Sequence, residues 1–183
     1  MEPLIKTRRE SLLCELYSSK SGLIVHSSAL EDSGNSFLFA GVADVGKSTL
    51  AKKLNGLMNV INDDMNILKF CEAGIEVSTY FTQAENRGHH YLINEDVRGT
   101  LKAVLFPVKE LKKDSYLELL SDEGFIWKVL LTCVAPPISG KDHLFPNYYK
   151  MIDCVMDSVP FFYIHHNLKD SPEAIANLLR EIN

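Results

Sequence analysis

The sequence has no apolar run long enough to cross a membrane, no long basic run, and no C-x-x-C pair among Cys14, Cys71, Cys133 and Cys154. Each absence excludes something. Without a membrane-length segment, no spanning helix is expected. With a net charge of −5 and no basic tract, nucleic acid is not the expected main partner. Scattered cysteines argue against zinc and against a disulfide framework, and are read as free, mostly buried thiols in a reducing compartment. The first ten residues carry charges with no apolar segment behind them, so no signal peptide is expected and the reading is cytoplasmic. There is no internal repeat, low-complexity tract or linker, so residues 1–183 are read as a single domain.

What is present is an ordinary globular balance, 46% hydrophobic and 23% charged. Residues 4–18 fit either a short strand or an amphipathic helix. Leu23–Leu30 reads as one strand. The turn cluster Glu31–Asn35 then links it, as a hairpin, to the apolar run Ser36–Ala40. A helix is expected over 47–55 and a short buried strand over Met58–Asn62. Two strands, Met65–Phe70 and Gly74–Phe81, should be joined around Glu72-Ala73-Gly74. Thr82–Val97 is polar and reads as a long loop holding Arg87, His89 and His90. Leu101–Phe106 reads as a strand closed by Pro107. Tyr116–Val134 reads as mainly helical with a break at Gly124, followed by a helix over Asn147–Val159 and a strand over Phe161–His165. A last helix carries Ser171 as N-cap, Pro172 in the first turn and Glu173 near the dipole.

The organising stretch is Gly41-Val42-Ala43-Asp44-Val45-Gly46-Lys47-Ser48, which reads G-x-x-x-x-G-K-S. Its chemistry requires these residues at this spacing. Gly41 and Gly46 let the backbone turn around an anion with no Cβ in the way. The loop amides then form a concave nest for phosphate oxygens. Lys47 reaches the outer phosphates, and the Ser48 hydroxyl can ligate Mg²⁺. The helix that follows, through Thr49, adds the positive end of its dipole. A chance match in a chain this long is on the order of 1%, and the strand before and helix after the motif lower that further.

Asp63-Asp64 follows the short strand after the motif helix. One carboxylate there can hold Mg²⁺ beside Ser48, and the other can take the proton of an attacking hydroxyl. Without the loop upstream, the pair would read as an ordinary solvated turn. His26 stands fifteen residues before Gly41. It reads either as a structural side chain or as a group brought near the phosphates by the hairpin. Arg87 and Arg98, in or beside the long loop, are candidates for a phosphate clamp.

Taken together, His26-Ser27-Ser28-Ala29 on a strand, the loop Gly41–Ser48 with Thr49, and the ending Asn62-Asp63-Asp64 resemble the catalytic domain of HPr kinase/phosphorylase. They also resemble the smaller HPr-kinase-related proteins. The resemblance covers residues 20–70 well and the remainder only in general pattern. It implies an α/β fold of the phosphoenolpyruvate carboxykinase-like kind, a mixed, curved β-sheet with packed helices. It implies transfer of a phosphoryl group from ATP, with Mg²⁺, to a hydroxyl. Lys47 would hold the phosphates, Ser48 and Asp63 the metal; Asp63 and Asp64 would share the base role, and His26 would support them. HPr kinases assemble as oligomers, but this chain shares too little with them to transfer that, which leaves a homo-oligomer open. One departure stands out. The family usually has Ser-Gly where this chain has Ala43-Asp44. Asp tolerates left-handed geometry better than most residues, but its charge opposes phosphate.

Two readings follow. The first is a Mg²⁺-requiring, ATP-dependent kinase acting on a hydroxyl of a peptide, protein or small metabolite. The second is a nucleotide-binding regulatory module without catalysis, which Asp44 favours. A small-molecule kinase on the parallel phosphate-loop fold is a weaker third, because residues 58–81 are mostly β where such kinases place helices.

Overall fold

The computed structural model describes residues 2–80 and 93–182. Among them are nine strands in one sheet and five α-helices. In chain order these are α1 (Glu2–Ser19), β1 (Gly22–His26), β2 (Ser28–Asp32), β3 (Asn35–Phe39), α2 (Lys47–Leu54), β4 (Asn59–Asn62), β5 (Met65–Cys71) and β6 (Gly74–Thr79). They continue with β7 (Gly99–Lys109), β8 (Tyr116–Leu119), α3 (Glu123–Cys133), α4 (Phe145–Ser158), β9 (Phe161–His166) and α5 (Pro172–Arg180).

The sheet is mixed and mostly antiparallel. Its path runs β1-β5-β6-β7-β3-β2-β4, and β9 pairs with β7 on one side and β8 on the other. Only β3–β7 and β7–β9 are parallel pairs. The path curls. Three strands separate β4 from β6 along it, yet the Asn62 amide donates to Thr79 Oγ1 at 2.7 Å.

Both faces of the sheet are covered, and the period-two alternation of the strands explains how. Ala29, Leu38, Ala40, Ile61, Val104 and Phe106 face one cluster, with Leu13, Leu16 and Tyr17 of α1, Ile126 and Leu130 of α3, and Tyr148, Ile152 and Val155 of α4. Leu30, Phe37, Phe39, Val60, Ala103 and Leu105 face the other, with Leu50, Ala51 and Leu54 of α2 and Ile175, Ala176 and Leu179 of α5. A strand buried on both faces reads as a continuous apolar run, as Phe37–Ala40 and Ala103–Phe106 do.

Several expected elements hold. Residues 4–18, which fitted either choice, are helical because Leu13, Leu16 and Tyr17 fall on one side at helical spacing and are buried. The hairpin turns at Ser33 and Gly34, both with positive φ, and joins β2 to β3. Ser171 caps α5 by accepting from the Ala174 amide.

Others are corrected. Leu23–Leu30 is two strands, because the chain changes partners at Ser27: β1 pairs with β5, and β2 with β3 and β4. Pro107 does not close its strand. β7 runs on to Lys109, because by alternation Pro107's missing N–H faces the β3 side, beyond the last β3 pair, while β9 pairs with the opposite edge. Tyr116–Leu119 is a strand and not helix, since it finds β9 as an antiparallel partner. Gly124 lies in the first turn of α3 and does not break it. All four cysteines are free, but only Cys133 is buried; Cys71 and Cys154 are exposed. Among the described residues no helix is long and apolar enough to cross a membrane.

Leu105 is fully buried between β3 and β9 beneath α2. We expect Leu105→Ala to destabilise the protein by about 2–5 kcal/mol. Urea unfolding should show a lower midpoint with an unchanged slope.

Candidate functional site

The strand directions place the site. β4 is antiparallel to β2, β2 to β3, and β3 is parallel to β7, which is parallel to β9. So β3, β4, β7 and β9 all run the same way. Their C-terminal ends deliver the Gly41–Ser48 loop, Asp63-Asp64, Lys109 and His166 to one end of the sheet.

A cleft of about 400 Å³ opens there, lined by His26, Ala43, Asp44, Gly46, Lys47, Ser48, Thr49, Asp63, Asp64 and Lys109. Gly41, Val42 and Val45 complete the loop without lining the cleft. Gly41 and Gly46 have φ of +132° and +112°, which glycine alone adopts readily. Asp44 sits at φ +63°, the left-handed geometry Asp tolerates best after glycine and Asn. The backbone therefore accommodates an aspartate at this position. What remains is its charge.

Lys47 opens α2 and is 7% exposed. Its ammonium folds back over the loop and donates to the carbonyls of Gly41 and Val42, each at 2.9 Å. Burial pushes its pKa below the usual lysine value; Cys133, Asp63, Asp44 and Asp64 pull it back up. The loop is also held from below. The Gly41 amide donates to Cys133 Sγ at 3.2 Å.

The two acids have different surroundings. Asp63 is 5% exposed and accepts from Ser28 Oγ at 2.5 Å. The Asp64 side chain is 19% exposed, and its Oδ1 lies 3.5 Å from His26 Nε2. Asn62 sets the turn that separates them. Its Oδ1 accepts from the Asp64 amide at 2.8 Å, and its Nδ2 donates to the Met65 carbonyl and to Thr79. Asn66 adds a second tie, donating to the Ser27 carbonyl at 2.8 Å, while the Ser27 amide donates to the Asp64 carbonyl at 2.9 Å.

His26 therefore does reach the acids, but not by the expected route. The hairpin strand is β2. His26 ends β1 and pairs with Met65 of β5, immediately after Asp64. Arg98 is not part of the site. It precedes β7 at the end opposite Lys109, about 33 Å away along an eleven-residue strand, and lines a different cavity with Cys71 and Glu76. Arg87, His89 and His90 lie outside the described residues. The cation that the sequence reading missed is Lys109, which no motif marks. It reaches the cleft because β7 runs through Pro107.

Beneath the loop lies His166, also missed. It is 1% exposed, and neither ring nitrogen has a hydrogen-bond partner of good geometry. A Cβ added at Gly46 would lie 2.8 Å from its Nε2. Burial holds its pKa below the usual histidine value. The Val45 backbone opposes this, and Lys109 and Lys53 reinforce it.

Three carboxylates (Asp44, Asp63, Asp64) face two lysines (Lys47, Lys109) across this cleft. An anion entering alone meets a net negative surface; one accompanied by a divalent cation does not. Among the described residues there is no cluster of three or more His, Cys, Asp or Glu side chains able to cage a metal alone. Two acids and a hydroxyl suit a Mg²⁺ that keeps waters and takes its other ligands from phosphate.

No protein-family model matches the chain, and no curated protein matches it in sequence. Among solved structures, it is similar to the Hpr(Ser) kinase/phosphatase from Coxiella burnetii at 16% identity, over 86% of this chain and 88% of that one, with a TM-score of 0.46. That likeness is too slight to bear on the site, whose reading rests on its own residues.

Asn62 is fully buried and ties three strands. Asn62→Ala leaves several polar groups unpaired, so we expect a loss of about 1–3 kcal/mol in chemical denaturation. Asn62→Asp, which keeps the acceptor and loses the two donated bonds, should also be destabilised.

Proposed function

We propose that this protein is a Mg²⁺-dependent, ATP-using phosphotransferase of the HPr-kinase-related type, acting in the cytoplasm on a hydroxyl of a peptide, protein or small metabolite. The observation that carries the reading is the convergence of Lys47, Ser48, Asp63, Asp64 and His26 on one cleft from separate elements. Binding a nucleotide alone does not require an acid beside a histidine.

The surroundings suggest how the roles divide. Ser48 and Asp63 would hold Mg²⁺, which supplies charge neutralisation at the phosphates when bound. Asp63 accepts a bond from Ser28, which suits an ionised carboxylate. Asp64, more open and next to His26, would accept the proton of the acceptor hydroxyl. The acceptor oxygen then forms a bond to the γ-phosphorus as the bond to the bridging oxygen breaks, and ADP leaves. Lys47 and the loop amides hold the phosphates in line. Most of the rate would come from positioning and charge compensation.

A second reading, a nucleotide-binding module without turnover, is favoured by one observation: Asp44 lines the cleft. Its carboxylate weakens phosphate binding without removing any catalytic group.

Calorimetry of ATP and ADP separates the two. We expect binding to require Mg²⁺, and Lys47→Ala to weaken it by tenfold or more. Asp64→Asn should bind ATP and lose its slow hydrolysis. Tight binding with no turnover in wild type would favour the module; no binding in wild type would overturn both readings. Asp44→Gly keeps the left-handed backbone and removes the charge, so it should raise affinity severalfold.

A further inference from the structure

His166 is a buried polar group that the proposed mechanism does not use. It ends β9, paired in parallel with Lys109 at the end of β7. The ring lies under the loop against Gly46, with the Val45 backbone beside it. A neutral imidazole carries one donor and one acceptor. Buried groups of this kind are nearly always paired, because leaving them bare is costly. Here the fold gives neither nitrogen a partner of good geometry, although the Val45 backbone lies against the ring. The backbone group against it, that of Val45, belongs to the very loop that would wrap a phosphate.

We propose that His166 is a positioning residue for the Gly41–Ser48 loop, its ring pairing with the Val45–Gly46 backbone in the conformation that grips phosphate. The proposal rests on the phosphate-binding reading above. Gly46 gives it a geometric basis. The residue has φ +112°, and any side chain there would strike the ring, so the loop and the ring are fitted to each other with no slack. Burial, and after it Lys109 and Lys53, disfavour a charged ring, and a neutral ring offers both a donor and an acceptor. A ring whose hydrogen bonds reach good geometry only in the gripping conformation adds to affinity and subtracts from the stability of the protein alone.

That opposition of signs is the test. His166→Leu removes the bare polar atoms at similar volume, and His166→Gln keeps a donor and an acceptor. Melting temperature without ligand and Kd for MgATP would be measured for both and for wild type. We expect His166→Leu to melt about 2–4 °C higher and to bind MgATP about tenfold more weakly, and His166→Gln to bind within threefold of wild type. A space-filling ring predicts otherwise: His166→Leu would bind as wild type does, or melt lower, or fail to fold, and any of these overturns the proposal. Equal loss of binding in Leu and Gln also overturns it. If wild type itself binds no MgATP, the phosphate reading falls and takes this proposal with it; normal wild-type binding with an unaffected Leu variant sinks the proposal alone.

Discussion

Asn62 has to satisfy several polar groups at the one place where the sheet folds back on itself. Its carbonyl oxygen takes the Asp64 amide, and its amide nitrogen reaches the Met65 carbonyl and Thr79. The residue is completely buried, so these bonds form in a low-dielectric setting where leaving one unmade is expensive. The consequence is structural and chemical together. The curl that brings β4 against β6 is the same feature that turns Asp63 inward toward Ser28 and leaves Asp64 facing His26. Asn66 and Ser27 repeat the device one step away, tying the end of β1 to the same turn. The acids are thus held by backbone and amide bonds, and their separation does not depend on their own charges.

Electrostatics then decides what the cleft accepts. A glycine loop that opens a helix offers positive potential from its amides and from Lys47. Asp44, Asp63 and Asp64 offset much of it. Lys47 is drawn in two directions, with burial favouring the neutral amine and the carboxylates favouring the ammonium. Its two bonds to the Gly41 and Val42 carbonyls hold the amine over the loop. On the proposed reading, a cleft of this balance would admit a polyphosphate with a divalent cation and turn a lone anion away.

How much of this could be read from the chain depends on distance along it. The loop was legible because its glycines, Lys47 and Ser48 act within eight residues, on a strand and a helix with strong local signals. Asp63-Asp64 was legible because a short apolar strand ends just before it, and α5 because its cap, proline and apolar face lie within one segment. The route of His26 was not, since it depends on β1 choosing β5 over the hairpin partner, and strand partners leave no local mark. Tyr116–Leu119 read as helix because four residues carry too little periodicity to say otherwise. Arg98 looked promising by its neighbourhood in sequence, and the length of β7 then carried it to the wrong end of the sheet. Lys109 and His166 carry no motif; they enter through the parallel register of β7 and β9.

That register also explains why the missed residues are cationic or polar at all. Along Ala103–Phe106 of β7 and Phe161–Ile164 of β9, positions alternate between two apolar clusters. Past those points β3 has ended, and β7 and β9 continue paired with each other, with β8 beside β9. Lys109 and His166 are the last pair of that overhang. One extends into the cleft and is exposed; the other turns under the loop and is sealed by Gly46. An overhang with nothing to gain from packing is free to carry chemistry, and open α/β sheets bind ligands at the carboxyl ends of their strands for this reason. Four strands of common direction end here, and each contributes a polar group rather than an apolar one. A purely structural sheet edge would have no cause to place Lys109, Asp63, Asp64 and a buried His166 within one cleft and its floor.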